Sequence, residues 1–182
     1  MHKLLLRALL KGTAVTGRPA DDPDMLAEAA RSLSERARRR LGRSLAIREV
    51  DAGSCNGCEL EIHAVNNPVY DIERFGLKFV ASPRHADVLL VTGPVTWNMK
   101  EALERTYRAT PDPKWVVAVG DCAHDCGVFA GSRAGAGPVS AVIPVDLHIR
   151  GCPPPPIEIL KGLLALMDAA DGKRPIAHTQ GA

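Results

Sequence analysis

Between residues 44 and 169 short apolar runs alternate with longer stretches that carry apolar residues at helical spacing, and the cysteines fall just after the apolar runs. Residues 45–50, 77–81, 86–92 and 115–119 read as strands, and 141–149 contain a fifth. In 99–108, Met99, Leu103 and Tyr107 share one helical face. The stretch 157–169 repeats the pattern with Ile157, Leu160, Leu164 and Met167. It follows a run of prolines, which open a helix at little cost because a first-turn N–H has no intrahelical partner. Strands alternating with helices predict an α/β fold with a parallel, doubly wound sheet. In such a sheet the loops leaving the carboxyl ends of the strands share one rim, where ligands bind at the switch in strand order. Cys55 and Cys58 follow the first strand, Cys122 and Cys126 the fourth, and Cys152 the fifth. Thiols distant in sequence are therefore expected on one rim.

The spacing suggests what such thiols do. A close C-x2-C pair, Cys55 and Cys58, followed by single cysteines far along the chain is a common way to build a cubane iron-sulfur site, with one thiolate per iron. Gly57 relaxes the backbone between the paired thiols, and Pro153 fixes the chain direction after Cys152. Four ligands suffice, so Cys122 and Cys126 compete for one place. Cys122 is preferred because it follows the strand end Val119-Gly120-Asp121 directly, and Cys126 stays its rival. A structural zinc ion on the same four thiolates is the main alternative. Its usual double-knuckle spacing is absent here. A thioredoxin-like dithiol would not use the distant Cys122 and Cys152.

Composition removes other classes. The five cysteines are an odd number and no secretory signal accompanies them, since Arg7 and Lys11 interrupt the apolar start of the chain. That favours a reducing, cytoplasmic setting with thiols kept for metal or redox work. The formal charge of +2 points away from nucleic acid. No apolar stretch approaches the roughly 20 residues of a bilayer-spanning helix. Residues 1–43 read as a helical extension: a short amphipathic helix at 2–11, a linker at 17–23, and a second helix at 25–41 ending in the basic run from Arg36 to Arg40. That run is either a solvated face or a docking site for a partner or an anionic membrane surface. Residues 44–170 form the main domain and 171–182 a tail.

Several segments taken together resemble a known family. They are Ser54-Cys55-Asn56-Gly57-Cys58-Glu59-Leu60-Glu61-Ile62, Asp71-Ile72-Glu73-Arg74-Phe75-Gly76, Ser82-Pro83-Arg84-His85-Ala86-Asp87-Val88, Ile143-Pro144-Val145-Asp146 and Gly151-Cys152-Pro153-Pro154. The chain resembles the small iron-sulfur subunit of complex-I-related, membrane-bound nickel-iron hydrogenases of the formate hydrogenlyase type, and also the quinone-proximal subunit of NADH:quinone oxidoreductase. Within that resemblance, C-x2-C is the hydrogenase pattern, whereas complex I subunits typically carry adjacent cysteines.

The resemblance implies a flavodoxin-like sheet bearing one 4Fe-4S cluster on Cys55, Cys58, Cys122 and Cys152. It implies electron transfer between the nickel-iron site of a large subunit and a ferredoxin-like iron-sulfur subunit. The complex would include membrane subunits, with this chain peripheral on the cytoplasmic face. Such a subunit belongs to an oxidoreductase but does not turn over alone. The alternatives are a quinone-reducing complex-I-type subunit and a zinc-stabilised scaffold. Glu59 and Glu61 are either first-turn carboxylates favoured by the helix dipole or a proton relay, and on a helix starting near Cys58 at most one of them can be buried. Arg84 and His85 are candidate contacts to the large subunit. His63, His124 and His148 read as structural. The segment Ala123-His124-Asp125-Cys126-Gly127 departs from the glycine-rich pattern usual after the third ligand.

Overall fold

The computed structural model describes residues 23–169. The helix expected at 2–11, most of the linker and the tail at 171–182 lie outside the described residues. The strands in chain order are β1 (Ala46–Asp51), β2 (Lys78–Phe79), β3 (Val88–Thr92), β4 (Val95–Thr96), β5 (Trp115–Val119), β6 (Gly135–Gly137) and β7 (Leu147–Ile149). The helices are α1 (Pro23–Leu41), α2 (Gly57–Val65), α3 (Trp97–Ala109), α4 (Asp121–Asp125) and α5 (Pro156–Asp168).

Five strands form one sheet in the order β2-β1-β3-β5-β7, and every pairing is parallel. The chain runs outward from β1 to β2, then returns across β1 to build β3, β5 and β7. The order reverses between β1 and β3, which is the switch point of a flavodoxin-like sheet. Val88 to Thr92 and Trp115 to Val119 are buried at every position, as strands covered on both faces must be.

Alternation along the strands feeds two apolar layers. On one face Ile47, Leu90 and Val117 pack with Ile62 and Val65 of α2, Ile159, Leu160 and Leu163 of α5, and Leu33 and Ala37 of α1. On the other, Val50, Leu89, Val91 and Val116 meet Leu103 of α3. Two buried or half-buried carboxylates pin the amino ends of the strands. Asp87 accepts from both Nη atoms of Arg43 at 2.9 and 2.6 Å and from the Ala46 N–H at 2.9 Å. Asp146 accepts the Val116 N–H at 2.7 Å.

The expected strands are present, with β2 cut to two residues and the fifth confined to Leu147–Ile149. A two-stranded antiparallel ribbon, β4 with β6, is an addition to the expected layout. Helix α1 shares the main core through Leu33 and Ala37, both fully buried, and packs chiefly against α5. Of its basic run, Arg36 pairs with Asp168 of α5, while Arg38 and Arg39 face solvent.

Candidate metal centre

The loop after β1 is shaped by Asp51, whose Oδ1 accepts the N–H groups of Gly53 at 2.7 Å and Ser54 at 2.9 Å. Ser54 Oγ then accepts the Asn56 N–H at 3.1 Å, and Asn56, with φ 70°, turns the chain into α2. Cys55 is thus carried on the turn and Cys58 on the first turn of the helix. The β5 strand ends at Gly120, with φ +90°, where a Cβ would stand 2.5 Å from Cys58 Sγ. A side chain there would occupy the space of the thiol, so this position requires glycine. Cys122 follows on α4, and its sulfur accepts the Val128 N–H. The exit of β7 lies against this loop: Gly120 N–H donates to Ile149 O at 2.8 Å, Asp121 N–H to Gly151 O at 2.9 Å, and Gly151 N–H to Asp121 Oδ1 at 3.2 Å. Cys152 comes next.

Cys55, Cys58, Cys122 and Cys152 line one cavity of about 120 Å³, together with Gly93, Asp121 and Pro153. Cys122 is buried, Cys58 half-buried, and Cys55 and Cys152 are exposed at the mouth. Cys126 does not line the cavity. It closes α4 in the left-handed conformation, φ 69°, and burial followed by the charge of Asp125 pushes its thiol up. Among the described residues no group of three or more His, Cys, Asp or Glu side chains is disposed to hold a single metal ion. The four thiols surround a space.

The electrostatics of the cavity favour neutral thiols while nothing positive lies among them. Burial, then the charge of Glu59 and the other three cavity thiols, pushes Cys58 up to about 12. Burial also raises Cys122, partly offset by the Val128 N–H. A bound cation reverses this logic and takes the thiols as thiolates.

Of the two glutamates beside the pair, Glu59 is buried and neither carboxylate oxygen has a hydrogen-bond partner, while Glu61 is half-buried. Burial raises Glu49 on the same side of the sheet, with His63 opposing and Glu59 adding to the rise. Arg84 and His85 are exposed at the opposite, amino end of the sheet, away from the thiols. His124 and His148 form an edge-to-face pair with ring centroids 4.4 Å apart, and the Nδ1 of each is buried without a partner. Burial, then His124 and Arg150, holds His148 below the usual histidine range. The sequence reading missed this pair, because contact between α4 and β7 follows from strand order and leaves no spacing signal. It also missed Asp121 as a lining residue, although the residue sits directly at the strand end.

Comparison with known proteins agrees with this architecture. The family model described as NADH ubiquinone oxidoreductase, 20 Kd subunit, matches residues 55–166. The chain belongs to this family. A probable membrane-bound hydrogenase subunit, mbhJ, of Pyrococcus furiosus is 49% identical over 128 residues, which cover 70% of this chain and 77% of that protein. Formate hydrogenlyase subunit 7 of Escherichia coli is 39% identical over 159 residues, covering 87% of this chain and 61% of that protein. A solved archaeal respiratory complex, the membrane-bound sulfane sulfur reductase, contains a chain that matches with a TM-score of 0.64 at 31% identity, over 84% of this chain and 77% of that one. The relatives are thus subunits of oxidoreductase complexes. Among the described residues no helix is long and apolar enough to cross a membrane.

Proposed function

We propose that the chain is an electron-transfer subunit that holds one 4Fe-4S cluster on Cys55, Cys58, Cys122 and Cys152, between the nickel-iron site of a large hydrogenase subunit and a ferredoxin-like iron-sulfur subunit. The complex is membrane-associated and formate hydrogenlyase-like, with this chain peripheral on the cytoplasmic face through membrane subunits. The observation that carries the reading is the convergence of four thiols, from three separate strand ends, around one cavity of about 120 Å³. A zinc ion on four cysteines needs its ligands drawn in to a point at Zn–S distances of about 2.3 Å. Thiols arranged around a space suit a larger occupant.

When bound, such a cluster takes up and gives back single electrons, at a potential set by its charge, hydrogen bonds and exposure. The residues of the chain govern that environment. Cys58 and Cys122 come from buried or half-buried positions, the Val128 N–H points at the Cys122 sulfur, and Gly120 leaves room for Cys58. Cys55 and Cys152 mark the open side. Leu60 and Val128, on segments next to the thiols, are 60% and 80% exposed, which suits burial under a partner.

Anaerobic purification of the full chain or its complex, with iron and acid-labile sulfide measured together, tests the reading. About four of each per chain are expected, with an EPR signal on reduction. Colourless protein holding one zinc and no iron would replace it with the scaffold reading. A quinone-reducing role, which the matched family description keeps in view, predicts reoxidation of the reduced cluster by quinone. The hydrogenase role predicts a large partner with paired C-x2-C motifs near both ends.

A further inference from the structure

Arg150 has no part in holding a thiol, yet it joins the two loops that carry the single cysteines. Its Nε lies 2.9 Å from Asp121 Oδ1 and its Nη1 3.3 Å from Asp125 Oδ2. Those carboxylates begin and end α4, a helix of five residues with Cys122 inside it. Arg150 itself stands two residues before Cys152. We propose that Arg150 is a positioning residue: its guanidinium clamps both ends of the Cys122 helix to the exit of β7 and so fixes the spacing and charge environment of Cys122 relative to Cys152.

Three physical points support the clamp. A five-residue helix has too few hydrogen bonds to hold its own shape, so its placement depends on ties to neighbours. The ties converge on one side. Asp121 Oδ1 forms an ion pair with Arg150 Nε and accepts the Gly151 N–H, and Asp125 Oδ1 accepts the Gly127 N–H at 2.9 Å across the left-handed Cys126. Finally, the planar fork of arginine reaches two carboxylates at once, which the single ammonium of lysine does not reproduce. The side chains of Arg150 and Asp125 are about half exposed, so the pairs contribute little to global stability. Their loss should appear as local opening of α4.

The clamp stands on geometry alone, and only its redox consequence rests on the cluster reading. The test compares the full chain with R150Q, R150K and D125N. In cluster-free protein under reducing conditions, amide exchange across residues 121–127 is expected to quicken about tenfold in R150Q and D125N, with the amides of β3 and β5 unchanged. In protein reconstituted with iron and sulfide, removal of the positive charge in R150Q should disfavour the reduced, more negative state. The one-electron equilibrium should shift about tenfold, ~59 mV to lower potential. R150K keeps the charge without the fork, so it should restore the potential but not the protection. Wild-type exchange in R150Q overturns the clamp, and an unchanged potential overturns its effect on the cluster. If the wild-type chain takes up no iron and sulfide, the cluster reading fails, while the exchange data still decide the clamp.

Discussion

At the residue scale, the cavity divides the five cysteines into two kinds. Four face a common space, and Cys126 points elsewhere although it lies one helical turn from Cys122. Serine at Cys55, Cys58, Cys122 or Cys152 is expected to lower bound iron and sulfide severely, whereas C126S should retain both, as metal and sulfide analysis of the purified variants will reveal. Glu49 offers a separate test of the buried layer. Burial raises its pKa in the folded chain above the unfolded value. The group therefore favours folding below the unfolded pKa, and that contribution is lost as pH rises through the folded pKa. E49Q should raise the urea midpoint over wild type at pH 7, and the gain should vanish near pH 3.5. The thiols were legible in the sequence because strand ends can be read from apolar runs. The buried state of Glu59 was legible only as a choice between two carboxylates, because the helix phase beside Cys58 excludes burying both. The His124–His148 pair and Arg150 were not, since their meaning lies in contacts between segments.

At the element scale, α1 shares a core with α5. Leu33 is fully buried against the layer that holds α5, and L33A is expected to cost about 2–5 kcal/mol in chemical denaturation. A negligible loss would mean that α1 is an appendage. Gly120 makes the opposite demand, for emptiness. G120A would force a Cβ onto Cys58 Sγ in a backbone region that only glycine adopts readily, so the variant should lose iron binding before it loses its circular dichroism. The long buried strands and the closing helix were legible from periodicity, and the prolines marked the start of α5 correctly, with Pro156 in its first turn. The β4–β6 ribbon was not. Two residues paired with three, two of those three glycine, leave no alternation to read. Helix α4 escaped for the same reason of length.

At the scale of the whole molecule, the reversal of strand order between β1 and β3 has a temporal meaning. The cavity draws Cys55 and Cys58 from the end of β1, Cys122 from beyond β5 and Cys152 from beyond β7, and β5 and β7 join β1 only through the pairing of β3. In the unfolded chain the Cys55–Cys58 pair, Cys122 and Cys152 are separated from one another by tens of residues, and closing those loops is entropically costly. The finished sheet removes that cost in advance. Iron and sulfide supplied to denatured chain before refolding should therefore give much less loaded protein than the same reagents supplied after refolding. Loading should then raise the urea midpoint, as any ligand that binds only the folded state does. A cluster would accordingly meet a finished surface with Cys55 and Cys152 outermost, so that loading reports on a correctly assembled sheet.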